Sequence, residues 1–138
     1  MRTVIFVIAI SLGLFACSAS QKSKNFSGPI PETKWILKKI QIGADWKTVN
    51  TKAFIRIEEA KNHAGGNGSC NNFSGNFSRD GGKVSFSQIL STKMFCQESQ
   101  WAEDAYFQNL EKVNRIQISG KTMKLLQDEK VLLEFETE

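Results

Sequence analysis

The sequence has few of the residues that most catalytic and metal-binding sites use. Among its 138 residues there is one histidine, His63, and there are three cysteines, Cys17, Cys70 and Cys96. With one histidine and no carboxylate cluster at ligand spacing, a zinc site or a histidine-based triad lacks its parts. The cysteines also lack the C-x-x-C spacing of a redox pair. We predict no metal, no cofactor and no catalytic residue, and we interpret His63 as a polar residue at a strand end.

The chain also lacks a concentrated positive surface. Its 18 lysines and arginines against 14 acidic residues give a net charge of +4, and Lys38–Lys39 is the only adjacent basic pair. No basic stripe alternates with aromatic residues, although such a stripe is the footprint of nucleic-acid-binding proteins. We therefore expect no nucleic-acid partner, and we interpret the lysines as part of a solvated surface.

A membrane-spanning run is missing as well. The apolar run from Val4 to Ala16 has thirteen residues, whereas a transmembrane helix needs about 20 and a signal-peptide core needs fewer. Residues 1–16 are therefore predicted to be a signal peptide. Their last residues, followed by Cys17, resemble a bacterial lipobox, and Cys17 would be the lipidated first residue of the mature protein. The alternative is an ordinary secretory leader cut near Ala16 or Ala19.

The predicted lipid anchor sets the expected location of the protein. Acyl chains on Cys17 would hold it stably on a bilayer, in the cell envelope and facing the periplasm. Ser18 after the lipidated cysteine favours the outer membrane in Gram-negative sorting. Residues 17–33 are expected to be the lipidated cysteine and a polar, flexible tether broken by Pro29 and Pro31. Residues 34–138 are expected to form one domain, and the protein is expected to be a monomer.

Alternating apolar and polar residues predict seven or eight short strands in this domain. The first, Trp35 to Ile42, changes its apolar phase at Lys38–Lys39, which predicts a bulge or bend. Gly43 to Asn50 is interpreted as a turn-rich link, and Ser87 to Phe95 as an irregular connection. The further strands are centred on Ile55, on Ala64, on a hairpin from Phe73 to Phe86, and on Ile116/Ile118, Met123/Leu125 and Val131/Leu133.

One segment, Trp101 to Val113, has helical periodicity. Ser99 is a suitable N-cap, and Glu103 and Asp104 lie where the positive helix start favours acidic residues. A single amphipathic helix must bury its apolar face against the sheet, so the predicted fold class is α+β with an antiparallel sheet. The residues predicted on that apolar face are Ala102, Ala105, Tyr106, Leu110 and Val113.

Cys70 and Cys96 bracket the predicted hairpin. An exported chain meets an oxidising compartment, so this pair is most simply a disulfide. On the loop-entropy estimate, such a bridge stabilises the domain by roughly 3.5 kcal/mol. The alternatives are a redox pair or a thiol nucleophile, which need the C-x-x-C spacing or a base held against the sulfur.

The stretch around these cysteines also carries a longer pattern. Its members are Gly68, Ser69, Cys70, Asn71, Phe73, Ser74, Gly75, a turn glycine at Gly82, and then Thr92, Met94 and Cys96. This pattern resembles the META domain family, which includes HslJ-like bacterial lipoproteins. The resemblance covers residues 34–135 and implies a strongly curved antiparallel sheet wrapped around one helix. It also implies a motif patch beside the disulfide, made of Gly68, Asn71, Phe73, Ser74, Gly75, Thr92 and Met94.

The role of this motif patch is open from the sequence: it could bind something or brace the hairpin. We favour bracing, because Phe73 and Met94 are residue types common in cores. The resemblance implies a non-enzymatic, lipid-anchored envelope protein that serves stress tolerance or envelope maintenance through an unknown envelope partner. The alternative is a small-ligand or protein-binding lipoprotein, for example an inhibitor, which an exposed apolar patch or a cleft over the helix would favour. An enzyme ranks third, since no set of nucleophile, base and orienting residue stands out.

Overall fold

A computed structural model of the protein describes residues 25–137. The predicted signal peptide, Cys17 and the start of the predicted tether lie outside these residues. The described part contains nine strands, one short 3-10 helix at Glu59–Lys61 and one α-helix. These are β1 Trp35–Ile42, β2 Asp45–Thr48, β3 Phe54–Glu58, β4 His63–Asn67, β5 Asn72–Asp80, β6 Lys83–Ser91, α1 Gln100–Leu110, β7 Arg115–Ser119, β8 Thr122–Gln127 and β9 Lys130–Thr137.

The strands form one antiparallel sheet that curves around α1. The order along the sheet is β6-β5-β4-β3-β1-β9-β8-β7, and β2 pairs with the second half of β1. The sheet stays open, although the N–H of Val84 donates to the carbonyl of Asn114 at 3.0 Å where β6 passes the start of β7. The predicted α+β fold is therefore confirmed.

The predicted irregularity in β1 is also confirmed. The pairing of β1 with β9 shifts register between Leu37 and Lys39. An extra residue at this point turns the following side chains by one position. As a result Trp35, Leu37 and Ile40 are all buried, although their spacing does not fit a regular strand.

Two segments that were predicted to be irregular are strands instead. Within residues 43–50, β2 pairs with β1, but its four side chains are all exposed, so alternation gave no signal for it. The interpretation of Ser87 to Phe95 was wrong for its first part, because β6 continues to Ser91, whereas residues 92–95 are irregular as predicted. The register of β5 and β6 shifts between Ser74 and Asn76, and this irregularity breaks the apolar alternation of β6.

The apolar face of α1 fills the concave side of the sheet. Tyr106 is fully buried, and its ring contacts those of Phe73 and Phe135, with centroids 5.7 and 6.0 Å away. Burial raises the pKa of the Tyr106 hydroxyl well above its usual value. The α-helix ends at Leu110, three residues before the predicted end, yet Val113 is still buried in the core.

Part of the predicted tether packs onto the domain. Ile30 is 5% exposed, and its N–H donates to Glu59 at 3.4 Å. Arg79 on β5 donates to the carbonyls of Phe26 and Gly28 at 2.6 and 2.9 Å and pairs with Glu59 at 3.1 Å. These contacts explain why residues 26–30 belong to the packed unit, whereas the sequence places its start at residue 34.

Candidate functional site

The motif patch lies at one end of the sheet, where β5 begins and β6 ends, and Asn71 is its centre. Asn71 is only 2% exposed. Its side-chain NH₂ donates to the Met94 carbonyl at 2.9 Å and to Glu103 at 2.6 Å. Its side-chain oxygen accepts from the Thr92 hydroxyl at 2.8 Å and from the Met94 N–H at 2.7 Å. The amide therefore uses its full hydrogen-bonding capacity to hold residues 92–94 against the start of β5.

Glu103 on α1 completes this buried network, and sequence reasoning did not assign it to the site. It is 3% exposed, and one of its carboxylate oxygens accepts from the N–H groups of Cys70 and Asn71 at 3.1 and 2.6 Å. A buried carboxylate is tolerable when several N–H groups surround it. The signal that could have found it is its spacing of three, four and seven residues from Tyr106, Phe107 and Leu110, which places it on the apolar face.

Two glycines of the motif patch allow close approaches that a side chain would block. A Cβ on Gly68 would lie 2.5 Å from the ring of Phe107 and 2.8 Å from the Glu103 carboxylate. A Cβ on Gly75 would lie 2.9 Å from the carbonyl of Ser87 on β6. Glycine at these two positions therefore lets α1 and β6 pack directly on the motif backbone.

The predicted disulfide is present and reinforces the same segment. Cys70 and Cys96 are bonded, with their Cα atoms 5.9 Å apart. Cys70 precedes Asn71, and Cys96 follows Met94 by two residues. Residues 92–96 are therefore fixed at both ends, by the Asn71 amide and by the sulfur bridge. We call Asn71, Glu103 and the Cys70–Cys96 bridge the buried brace.

Phe73 and Met94, the two motif residues expected in the core, differ in burial. Phe73 is buried, and its ring packs edge-on against those of Tyr106 and Phe107, with centroids 5.7 and 5.3 Å away. The interpretation of Met94 as a core residue was wrong. Met94 is 59% exposed, and it is the backbone N–H and carbonyl of this residue that bond to Asn71. The motif patch thus uses Met94 for its main chain and leaves the thioether in solvent.

Other large apolar side chains close in sequence to Met94 are exposed as well. Phe95 is 77% exposed, Leu90 75% and Trp101 45%. We call Leu90, Met94, Phe95 and Trp101 the apolar tip. Residues 90–101 include only two charged side chains, Lys93 and Glu98. Exposed apolar and aromatic groups with few charges are typical of the centre of a protein–protein interface.

Ser74 takes part in a second arrangement, on the outer face of the sheet. Its hydroxyl lies 2.9 Å from Nε2 of His63, and Nδ1 of the same ring lies 3.6 Å from the carboxylate of Glu58. A serine, a histidine and a carboxylate thus lie in one row, a proximity that the sequence did not predict. The separation of 3.6 Å is too long for the hydrogen bond that orients a catalytic histidine. The imidazole and the carboxylate are also 43% and 34% exposed.

Residues 25–137 contain neither a membrane-spanning helix nor a cluster of metal-ligand side chains. No helix within residues 25–137 combines the length and the apolar character needed to cross a membrane. In the same part of the chain, no three or more His, Cys, Asp or Glu side chains come together as a metal-binding group would require.

Comparisons with known proteins agree with this architecture. Two solved structures share the fold. An NMR structure of a protein from Burkholderia xenovorans is 22% identical, with a TM-score of 0.64, over 85% of this chain and 96% of that one. A second NMR structure is 18% identical, with a TM-score of 0.56, over 77% and 89% of the two chains. None of the curated proteins compared with the chain matches it. The sequence profile of the META domain matches residues 28–138, and the chain therefore belongs to the META domain family.

Proposed function

We propose that this protein is a non-enzymatic, lipid-anchored bacterial envelope protein of the META/HslJ type that serves stress tolerance or envelope maintenance. The observation that carries the proposal is that the motif residues hold the fold together. Asn71, Thr92 and Gly68 are engaged in the buried brace, so the family motif preserves a scaffold rather than a reactive group. Membership of the META domain family supports the same kind of protein.

The geometry at His63 supports the non-enzymatic part of the proposal. A serine nucleophile needs a base that is held in one orientation, usually by a buried carboxylate. Here the His63 ring is 43% exposed and stands 3.6 Å from Glu58. Water can compete for the polar atoms of such a row. We therefore interpret the contact between Ser74 and His63 as a surface hydrogen bond rather than as part of a catalytic site.

The proposed anchor is Cys17, and the site of attachment is the outer membrane with the domain in the periplasm. The experiment is fractionation of cells that express the full chain with Cys17→Ser, beside Ser20→Ala as a matched control. The wild type and the control are expected in the membrane fraction, and the Cys17→Ser protein in the soluble periplasmic fraction. A Cys17→Ser protein that stays in the membrane would contradict the anchor. Equal survival of a deletion strain and its parent under heat or antibiotic stress would contradict the stress role.

A second candidate function, a protein-binding or inhibitor-like module, is favoured by the apolar tip. The buried brace gives this segment one conformation before any partner arrives, and such preorganisation lowers the entropic cost of binding. The expected occupant is an envelope protein with an apolar groove, because exposed Phe, Met and Trp are common binding residues.

The point at which the proposed tether joins the domain argues against the anchoring bilayer as that occupant. The Asn25 side chain accepts from Arg115 at 2.8 Å and lines a groove beside Gly82, at the β5–β6 turn. Leu90 lies at the other end of β6, about 25 Å away at the rise of an extended strand. The proposed tether therefore joins the domain at the end of the β5–β6 hairpin opposite Leu90, which supports the proposal that the apolar tip faces away from the membrane.

Photo-crosslinking in intact cells tests this second function. A crosslinking amino acid at Phe95 should give a discrete protein adduct that Trp101→Ser weakens, and the same amino acid at the exposed Lys112 should not. Lipid adducts at Phe95, or an adduct of twice the chain mass, would identify the bilayer or a second copy as the occupant and contradict the proposal.

A further inference from the structure

A polar groove on the outer face of the sheet combines lysines with an exposed tryptophan. It has a volume of about 610 Å³ and crosses β2, β1, β9 and β8 on the side away from α1. Its volume falls within the range of 300–1,000 Å³ that is usual for small-ligand sites. The residues that line it are Lys39, Gln41, Trp46, Thr48, Lys124, Lys130, Val131 and Glu134.

The groove carries more positive charge than its own carboxylate can balance. Glu134 accepts from Lys39 at 2.8 Å with one oxygen, and its other oxygen lies 3.7 Å from Lys124. Lys130 donates to the carbonyl of Gly43 at 3.2 Å, a neutral partner. Lys39 and Lys124 thus share the carboxylate of Glu134, whereas Lys130 bonds a neutral carbonyl. The lining carries three ammonium groups and one carboxylate, an excess of two positive charges that Glu136, which interacts with Lys39 from outside the lining, offsets in part.

The uncharged residues of the groove are held in place by hydrogen bonds, and Trp46 makes the lining partly apolar. Gln41 is 7% exposed, and its side chain donates to the same Gly43 carbonyl at 3.1 Å. Its backbone carbonyl accepts from Asn109 on α1 at 2.7 Å, which fixes this part of β1 to the helix. Trp46 lies opposite Gln41 on β2 and is 45% exposed. An indole beside ammonium groups offers a flat apolar wall next to an anion-binding point.

We propose that this groove binds a phosphate group carried on an apolar or aromatic body. The phosphate oxygens would form ion pairs with the ammonium groups of Lys124 and Lys130, since lysine binds phosphate as a point charge. The apolar body would lie against Trp46. A lipid headgroup and a soluble phosphate ester share this chemistry, and the experiment separates them.

The experiment follows the fluorescence of Trp46 in the full-length protein in neutral detergent. The protein carries Trp101→Phe, which removes the other exposed tryptophan, and Trp35 is kept because it is buried. The probes are inorganic phosphate, phenyl phosphate and a short-chain phosphatidylglycerol, with the matching phosphatidylcholine as a neutral lipid. We expect a saturable change with phenyl phosphate, with phosphatidylglycerol, or with both. Saturation only by phosphatidylglycerol assigns the site to a lipid headgroup, and saturation only by phenyl phosphate assigns it to a soluble ester.

A matched pair of variants separates a site from general attraction. Lys124→Gln with Lys130→Gln should weaken the apparent affinity at least about tenfold, whereas Lys112→Gln with Lys121→Gln, which removes the same charge outside the groove, should leave it within about twofold. Equal weakening by both pairs, or no saturable change with any probe, would overturn the proposal. The indole N–H signal of Trp46 in an NMR titration of the unmodified protein gives a second readout. A signal that does not move would overturn the proposal as well.

Discussion

Replacement of Asn71 by alanine is the most informative perturbation of the fold. The change removes four side-chain hydrogen bonds, of which one goes to the Glu103 carboxylate and three go to Thr92 and Met94. A neutral hydrogen bond contributes about 1 kcal/mol net, and one to a charged group about 1.5–3 kcal/mol. Water can reach part of residues 92–94, so we expect a loss of about 3–4 kcal/mol in the free energy of unfolding. That is a large share of the 5–15 kcal/mol typical of a small domain.

Urea denaturation of the oxidised protein measures this loss. With a slope of about 1.5 kcal/mol per molar urea, the midpoint should fall by about 2 M. Asn72→Ala is the matched control, because within residues 25–137 its exposed side chain bonds to the side chain of Asn67 alone, at 3.0 Å. A surface change of this kind costs about 0.5 kcal/mol or less. If Asn71→Ala falls within about 1 kcal/mol of Asn72→Ala, the buried brace does not stabilise the fold as argued.

Three further predictions test other parts of the account. The Cys70→Ser/Cys96→Ser double variant should lose about 3.5 kcal/mol in the same urea assay, and a loss below about 1 kcal/mol would show that the bridge is not a main constraint. The hydrogen bond from Lys39 lowers the pKa of Glu134 below its ordinary 4.5. The pair therefore stabilises the fold above pH 4.5, and this stabilisation is lost as the pH falls through the lowered pKa. Lys39→Gln should raise the pKa of Glu134 in a carboxyl ¹³C NMR titration, and an unchanged pKa would refute the assignment. A fluorophosphonate probe should label the wild type no more than Ser74→Ala, whereas stoichiometric labelling of Ser74 would refute the non-enzymatic proposal.

The sequence predicted those strands in which one face is buried. Trp35, Leu37, Ile55 and Ile57 carry an apolar signal because their side chains enter the core. β2 was missed because its stability comes from backbone pairing with β1, and its side chains stay in water. The alternation of apolar and polar residues reports the burial of side chains, so it cannot reveal a strand whose side chains are all exposed.

The site was only partly predictable for a similar reason. The disulfide followed from the cysteine count and the predicted export signal, and the motif glycines followed from the family pattern. The role of Glu103 depends on N–H groups more than 30 positions away in the chain, which no local pattern encodes. Met94 was misread because residue type suggests burial, whereas the fold uses its backbone and exposes its side chain.

The protein-binding proposal holds that the buried brace displays the apolar tip to a partner, and in-cell crosslinking at position 95 tests it most directly. We expect one discrete protein adduct at Phe95, none at Lys112, and loss of the Phe95 adduct when Asn71→Ala releases residues 92–96. The same adduct at both positions, or a Phe95 adduct that survives Asn71→Ala unchanged, would contradict it.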